Sequence, residues 1–138
     1  MKVYQANILF TSSPAHFDVY ERGYIAVDDT GIIQGVYDAL PEDFTYDQLV
    51  DFGDKLLIPA MNDLHVHAPQ FANMGVAMDM QLLPWLNTYV FPEEAKFADE
   101  AYAETIYHSF VSELWRQGTM RAAVFATVHT PATHILAR

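Results

Sequence analysis

The chain has 138 residues, 51% of them hydrophobic, which suits a globular protein long enough to bury a core. Its 18 acidic and 7 basic residues give a formal net charge of −11, so it lacks a basic surface for binding nucleic acid or an anionic membrane. It has no cysteine, which excludes disulfides, thiolate metal sites and a cysteine nucleophile.

The first 58 residues contain short alternating runs that predict a small antiparallel β unit. Residues 2–10 predict a half-buried strand whose inward side chains are Tyr4, Ala6, Ile8 and Phe10. Residues 23–27 and 32–36 flank a turn in which Gly31 is free to adopt a positive φ, and this pattern predicts a hairpin. Two further short strands are predicted over residues 48–52 and 55–58.

After residue 58 the pattern changes, and strands alternate with helices. An apolar strand is predicted over residues 61–67, and a second one, buried on both faces, over residues 120–129. Between them a long helix begins after Asp99, a good N-cap residue, and ends before Gly118. Shorter helices are predicted over residues 82–91, closed by Pro92, and from Pro131 onward. This order predicts two βα units of a parallel sheet.

Two histidines stand two residues apart at the end of the first of these strands. Residues two apart on a strand point to the same side, so Asp63, His65 and His67 are predicted to line one face. Two imidazoles on one face can both reach one cation, and imidazole is a common zinc ligand. A catalytic zinc site usually takes three protein ligands and a water molecule. From spacing alone, half of a metal site and ordinary surface hydrogen bonds both remain open.

Four other residues carry side chains that could serve such a site, each with a structural alternative. Asp63 could orient a ligand imidazole, or it could accept hydrogen bonds from backbone amides. Gln70 has the donors and acceptor that match the edge of a base, or it is a solvated loop residue. Trp85 could form an aromatic wall for a flat ligand, or it could pack in the core. His129 ends the second strand near the same rim, where it could touch a ligand or have a structural role.

Five stretches of the sequence carry a resemblance to a known family. They are residues 59–67, 65–70, 83–89, 91–94 and 125–129, which read PAMNDLHVH, HVHAPQ, LPWLNTY, FPEE and FATVH. In these stretches the chain resembles the amidohydrolase superfamily and, within it, the guanine deaminase branch. The resemblance covers essentially the whole chain. Ala60 departs from the glycine that is usual in the family, which should alter a turn rather than the chemistry.

The resemblance implies an α/β fold that begins a large metal-dependent barrel. Residues 59–138 would form the first two βα units of a (β/α)8 amidohydrolase barrel, and residues 1–58 would form the N-terminal part of a small β-sandwich domain. His65 and His67 would bind Zn²⁺. The base-binding residues would be His67, Ala68, Pro69 and Gln70, with Asp63, Trp85 and His129 in the surrounding shell or pocket.

The resemblance also implies an activity, the hydrolysis of guanine to xanthine and ammonia. The family's proton-transferring glutamate and aspartate, two further histidines and a base-binding arginine come from later barrel strands. None has a counterpart here, so no catalytic residue is predicted, and the chain is expected to be an incomplete fragment that is inactive alone. The full-length protein would be a cytoplasmic homodimer of purine catabolism. The alternatives are another aminopurine or pyrimidine deaminase of the superfamily, and a non-catalytic interaction module.

Overall fold

The computed structural model describes residues 1–138, which form two compact units, Met1–Pro59 and Ala60–Arg138. The first unit contains only strands, and the second contains both strands and helices. None of the helices is long and apolar enough to cross a membrane.

Four strands form the sheet of the first unit, in the order β3-β2-β1-β4. They are β1 (Lys2–Ser13), β2 (His16–Val27), β3 (Ile33–Tyr37) and β4 (Gln48–Leu57). The first three pair antiparallel, as predicted. The prediction of a wholly antiparallel unit is wrong for β4, which lies parallel to β1 because the connection from β3 brings Gln48 beside Lys2. Both strands therefore start at the same end of the sheet.

The hairpin between β2 and β3 lies where the sequence predicts it. Gly31 occupies the turn with a φ of +87°. The carboxylate of Asp28 accepts hydrogen bonds from the backbone and hydroxyl of Thr30, the backbone of Ile32 and the side chain of Gln34. These bonds, led by the one from the Thr30 side chain, lower the pKa of Asp28 from 3.8 to about 2. The turn is fixed by local chemistry, which is why the sequence reveals it.

β1 is a strand as predicted, but its buried side differs from the prediction at one end. Val3, Ala6 and Ile8 are buried, whereas Tyr4 and Phe10 are only half-buried. The pairing with β2 shifts register between Ala6 and Ile8. Such an irregularity changes which side the neighbouring residues face. The alternation of inward and outward side chains that the sequence predicts therefore cannot continue along the whole strand.

The second unit has two parallel strands with helical segments between and after them. The strands are β5 (Met61–His67) and β6 (Thr119–Phe125). The helical elements are a 3-10 helix (Ala68–Asn73), α1 (Leu82–Trp85), a π-helical turn (Leu86–Val90), α2 (Phe91–Ala95), a 3-10 turn (Lys96–Ala98), α3 (Glu100–Arg116) and α4 (Thr130–Leu136). The predicted α/β alternation is confirmed, and β6 ends four residues before the predicted limit.

The long helix α3 provides half of the buried core residues of this unit. The Asp99 side chain accepts hydrogen bonds from the backbone N–H groups of Ala101, at 2.9 Å, and Tyr102, at 3.4 Å, as its predicted N-cap role requires. Gly118 follows the helix with a φ of +80°. The fully buried core residues are Ala68, Phe97, Ala103, Tyr107, Phe110 and Ala132. The core thus joins α3 to α4 and to the 3-10 helix that follows β5.

Neither strand of the second unit is buried in the way that its apolar sequence predicts. Leu64 on β5 is 81% exposed, and Met120 and Phe125 on β6 are also exposed. The sheet has only these two strands. An apolar strand becomes buried only when other elements cover both of its faces, and here the helices cover one side, where Val66 packs against the core, while Leu64, Met120 and Phe125 stay exposed.

Pro92 does not close the helical segment as predicted. It lies in the first turn of α2, a position that tolerates proline. The preceding π-helical turn ends with a bond from the Phe91 N–H to the carbonyl of Leu86, five residues earlier. This wider turn allows the chain to stay helical up to and through the proline.

Candidate active site

His65 and His67 approach each other at the end of β5. They lie on one side of the strand, as their spacing predicts, and their Nε2 atoms are 3.2 Å apart. His65 is exposed and His67 is half-buried. The carboxylate of Asp63 accepts a hydrogen bond of 3.0 Å from the backbone N–H of His65. This bond fixes the backbone at the point where the first imidazole projects.

The ring of Phe125 lies against both imidazoles. It reaches them because β5 and β6 pair with His67 opposite Phe125. The centroid of the phenyl ring is 4.7 Å from each imidazole centroid, and it stacks on His67 with an interplanar angle of 14°. Such packing restricts the rotation of both imidazoles and keeps them directed at each other.

The separation of the two Nε2 atoms fits a shared zinc ion. Two nitrogens that each lie about 2.05 Å from a tetrahedral zinc are about 3.3 Å apart, and the observed value is 3.2 Å. A hydrogen bond between two neutral imidazoles also fits this distance. The structure has no group of three or more His, Asp or Glu side chains placed to hold a metal. This structure therefore offers two donors of a zinc site, the Nε2 atoms of His65 and His67.

An open cleft of about 450 Å³ lies beside the histidines. Its other lining residues include Gln70, Phe71, Asn73, Met74, Gly75, Met78 and Trp85. Most of this surface is apolar, and it includes a few polar groups. That combination and that volume are typical of sites for small organic molecules.

A loop over residues 74–81 forms one wall of this cleft, and Trp85 holds it. The indole N–H of Trp85 donates a hydrogen bond of 2.9 Å to the carbonyl of Val76. Gly75 and Ala77 both have positive φ values, of 76° and 52°. The indole therefore has a polar partner as well as an aromatic face, and it lies in the cleft as its predicted pocket role requires.

The remaining predicted residues lie outside the cleft lining. Ala68 and Pro69 are buried, which leaves their backbone as the group for the predicted base contact. Asp63 bonds to a backbone amide rather than to an imidazole. His129 is half-buried and stands at the N-cap position of α4, so it does not end β6 as predicted. The structure thus brings together His65, His67, Gln70 and Trp85 from the predicted set.

Sequence reasoning missed Phe125 and Asn73 as parts of this site. Phe125 could have been found, because the last residues of neighbouring parallel strands meet at the same edge of a sheet. Asn73 could not, because the sequence predicts no helix over residues 68–73. In the observed 3-10 helix, residues three apart lie one above the other, which places Asn73 on the same side as Gln70.

Comparisons with known proteins agree on one family. Guanine deaminase of Dictyostelium discoideum is 32% identical over 153 aligned positions, which cover 99% of this chain and 34% of that protein. The crystal structure of guanine deaminase from C. acetobutylicum with bound guanine matches with a TM-score of 0.91 and 43% identity, over 98% of this chain and 32% of that one.

A more distant structure shares the fold. An adenosine deaminase from Xanthomonas campestris, solved with bound zinc, has a TM-score of 0.77 at 23% identity, over 99% of this chain and 31% of that one. No family model matches the sequence. The resemblance seen in the sequence is confirmed: guanine deaminases match this chain over nearly its whole length, and the chain spans about one third of theirs.

Proposed function

We propose that this chain is the N-terminal portion of a zinc-dependent guanine deaminase, which replaces the exocyclic amino group of guanine by oxygen and releases ammonia. The observation that carries the proposal is the convergence of His65 and His67, with their Nε2 atoms 3.2 Å apart, beside a cleft for a small molecule. The similarity to a guanine deaminase that holds guanine supports the choice of substrate.

The two histidines would hold the zinc ion through Nε2. A bound zinc ion lowers the pKa of a coordinated water molecule, which makes water a nucleophile near neutral pH. The contribution of this chain is to present both imidazoles in fixed orientations. The stacking of Phe125 and the backbone bond from His65 to Asp63 both serve this purpose.

The cleft would position the purine. Gln70 lines it with a side-chain amide that can donate to and accept from the edge of a base. Trp85 offers an aromatic face for a flat ring, and its bond to Val76 keeps the cleft wall in place. The backbone of Ala68 and Pro69 would add contacts beside His67. Together these groups would orient guanine with its amino-bearing carbon toward the histidines.

The rest of the site would come from chain beyond these two units. We propose that Ala60–Arg138 begins the (β/α)8 barrel and that Met1–Pro59 belongs to a small β-sandwich domain. The exposed apolar faces of β5 and β6 support this, because further barrel strands and helices would cover them. Further zinc ligands and the acid–base residues would lie on those strands, so the 138 residues alone should not turn over guanine. The homodimer and the cytoplasmic location stay predictions.

The test uses protein expressed from the complete coding sequence. Xanthine formation from guanine is followed by ultraviolet absorbance, ammonia is measured separately, and bound zinc is measured by elemental analysis. His67→Ala should lose both zinc and activity. His108→Ala is the matched control, because His108 is exposed on α3 and does not line the cleft, and it should keep both. A zinc-loaded wild-type enzyme that leaves guanine unchanged would refute the substrate assignment.

Experiments on the same protein distinguish two alternative functions from the proposed one. A related deaminase of another aminopurine or of a pyrimidine would leave guanine unchanged and convert that base instead. An interaction module is the second alternative, and the 81% exposure of Leu64 on β5 is the observation that favours it. If the chain is an interaction module, its 138 residues should form a defined assembly in size-exclusion chromatography and should bind no zinc.

A further inference from the structure

Asn73 carries a buried polar group that has no partner in the protein. The residue is only 7% exposed. Neither Nδ2 nor Oδ1 of its side chain makes a hydrogen bond, although both atoms are enclosed. Asn73 is also one of the residues that line the cleft beside the histidines.

A buried amide of this kind costs stability, because it has lost its hydrogen bonds to water without gaining others. No hydrogen bond within the 138 residues uses this amide. Its position ends the 3-10 helix, and an apolar side chain of similar size would fill the same space without that cost. A buried polar group without a partner in a native protein needs an explanation, and a role in a binding site is one such explanation.

The position of Asn73 identifies that site. It lies three residues after Gln70 in a 3-10 helix, where residues three apart are nearly eclipsed. Both residues line the same cleft. Two side-chain amides on one side of a helix offer two acceptors and four N–H donors, enough to bond two positions on the edge of a purine.

We propose that Asn73 is a second amide contact for the purine, beside Gln70, and that it contributes to specificity for the base. This inference rests on the proposed deamination of guanine. The proposed contact requires a rotation about the side-chain bonds of Asn73, because the amide is enclosed in this structure and must turn toward the cleft that the residue lines. Because the amide is already removed from water, its bond to the base contributes more to affinity than the bond of an exposed group would.

Asn73→Leu tests the inference, because leucine keeps the size and removes both polar atoms. In the complete protein, KM for guanine should rise about five- to hundredfold, the range expected for one lost contact to a buried polar partner, while kcat changes little. In the same complete protein, the melting temperature of the variant should equal or exceed that of the wild type. Asn87→Leu is the control, since the Asn87 amide already bonds to the Leu83 carbonyl, and it should leave KM unchanged.

The outcomes separate the two proposals. If the wild-type enzyme deaminates guanine and Asn73→Leu has an unchanged KM, the proposed contact between Asn73 and the base is refuted. The proposed function then still stands. If Asn73→Leu melts at a clearly lower temperature or fails to fold, Asn73 supports the fold and the inference is overturned. If the wild-type enzyme does not act on guanine at all, the proposed function fails and the inference fails with it.

Discussion

Replacing Ala77 by glycine should stabilise this protein, although alanine-to-glycine changes usually do the opposite. Ala77 has a φ of 52°, in the left-handed region. The loop cannot relax easily, because the Val76 carbonyl accepts the Trp85 indole bond and the Met80 N–H donates to the Ala77 carbonyl. A left-handed conformation costs a residue with a Cβ about 1–2 kcal/mol. Glycine avoids that cost.

The expected gain follows from two opposing terms. Relief of the strain favours Ala77→Gly by about 1–2 kcal/mol, and the greater freedom of glycine in the unfolded chain opposes it by about 0.5–1 kcal/mol. The net stabilisation should lie between about 0 and 1.5 kcal/mol. Ala72→Gly is the matched control, because Ala72 is exposed in the neighbouring 3-10 helix and has a negative φ. It should destabilise by about 0.5–1 kcal/mol.

Urea denaturation of the 138-residue chain, followed by circular dichroism, measures both variants. The effect of glycine on the unfolded chain is common to both variants. The difference of about 1–2 kcal/mol between their changes in the free energy of unfolding therefore reports the strain at Ala77 directly. Equal destabilisation by the two variants would contradict the reasoning. It would mean that the loop does not hold the left-handed conformation in solution.

Three further results are expected. Asp99→Ala should lower the free energy of unfolding by about 1 kcal/mol in urea denaturation, since it removes the N-cap of α3; an unchanged midpoint would contradict this. Phe97→Leu should cost about 1–3 kcal/mol in the same assay, because Phe97 is 1% exposed and packs against Tyr102 and Tyr107 at 5.3 and 5.0 Å. The pKa of Asp28 lies at about 2 in the fold, below its ordinary 3.8, so its contribution to hairpin stability is present above about pH 4 and is lost as the pH falls toward 2. Amide chemical shifts of the hairpin should follow this titration, and Asp28→Asn should abolish it.

The features that the sequence predicts well are those set by near neighbours in the chain. The turn at Asp28 and Gly31 and the N-cap at Asp99 are made by residues only a few positions apart. The convergence of His65 and His67 follows from the two-residue period of a strand. Such features need no knowledge of distant elements, and they appear in the structure as expected.

The features that the sequence predicts poorly depend on distant partners or on small changes of helical pitch. The parallel pairing of β4 with β1 depends on the path of a connection rather than on the strand residues. The exposure of Leu64 depends on how many strands accompany β5. The position of Asn73 in the cleft lining depends on a 3-10 helix that starts with Ala68-Pro69, which the sequence does not predict.

The π-helical turn over Leu86–Val90 determines the direction in which Trp85 points. A π-helical turn holds one residue more than the α-helical turn that it replaces, and each residue of an α-helix turns the chain by about 100°. Deleting one residue from this turn would rotate α1 by about 100° relative to α2 and swing the indole away from the Val76 carbonyl. The shape of the cleft wall is therefore encoded partly in the number of residues between Trp85 and Pro92, and not only in their side chains.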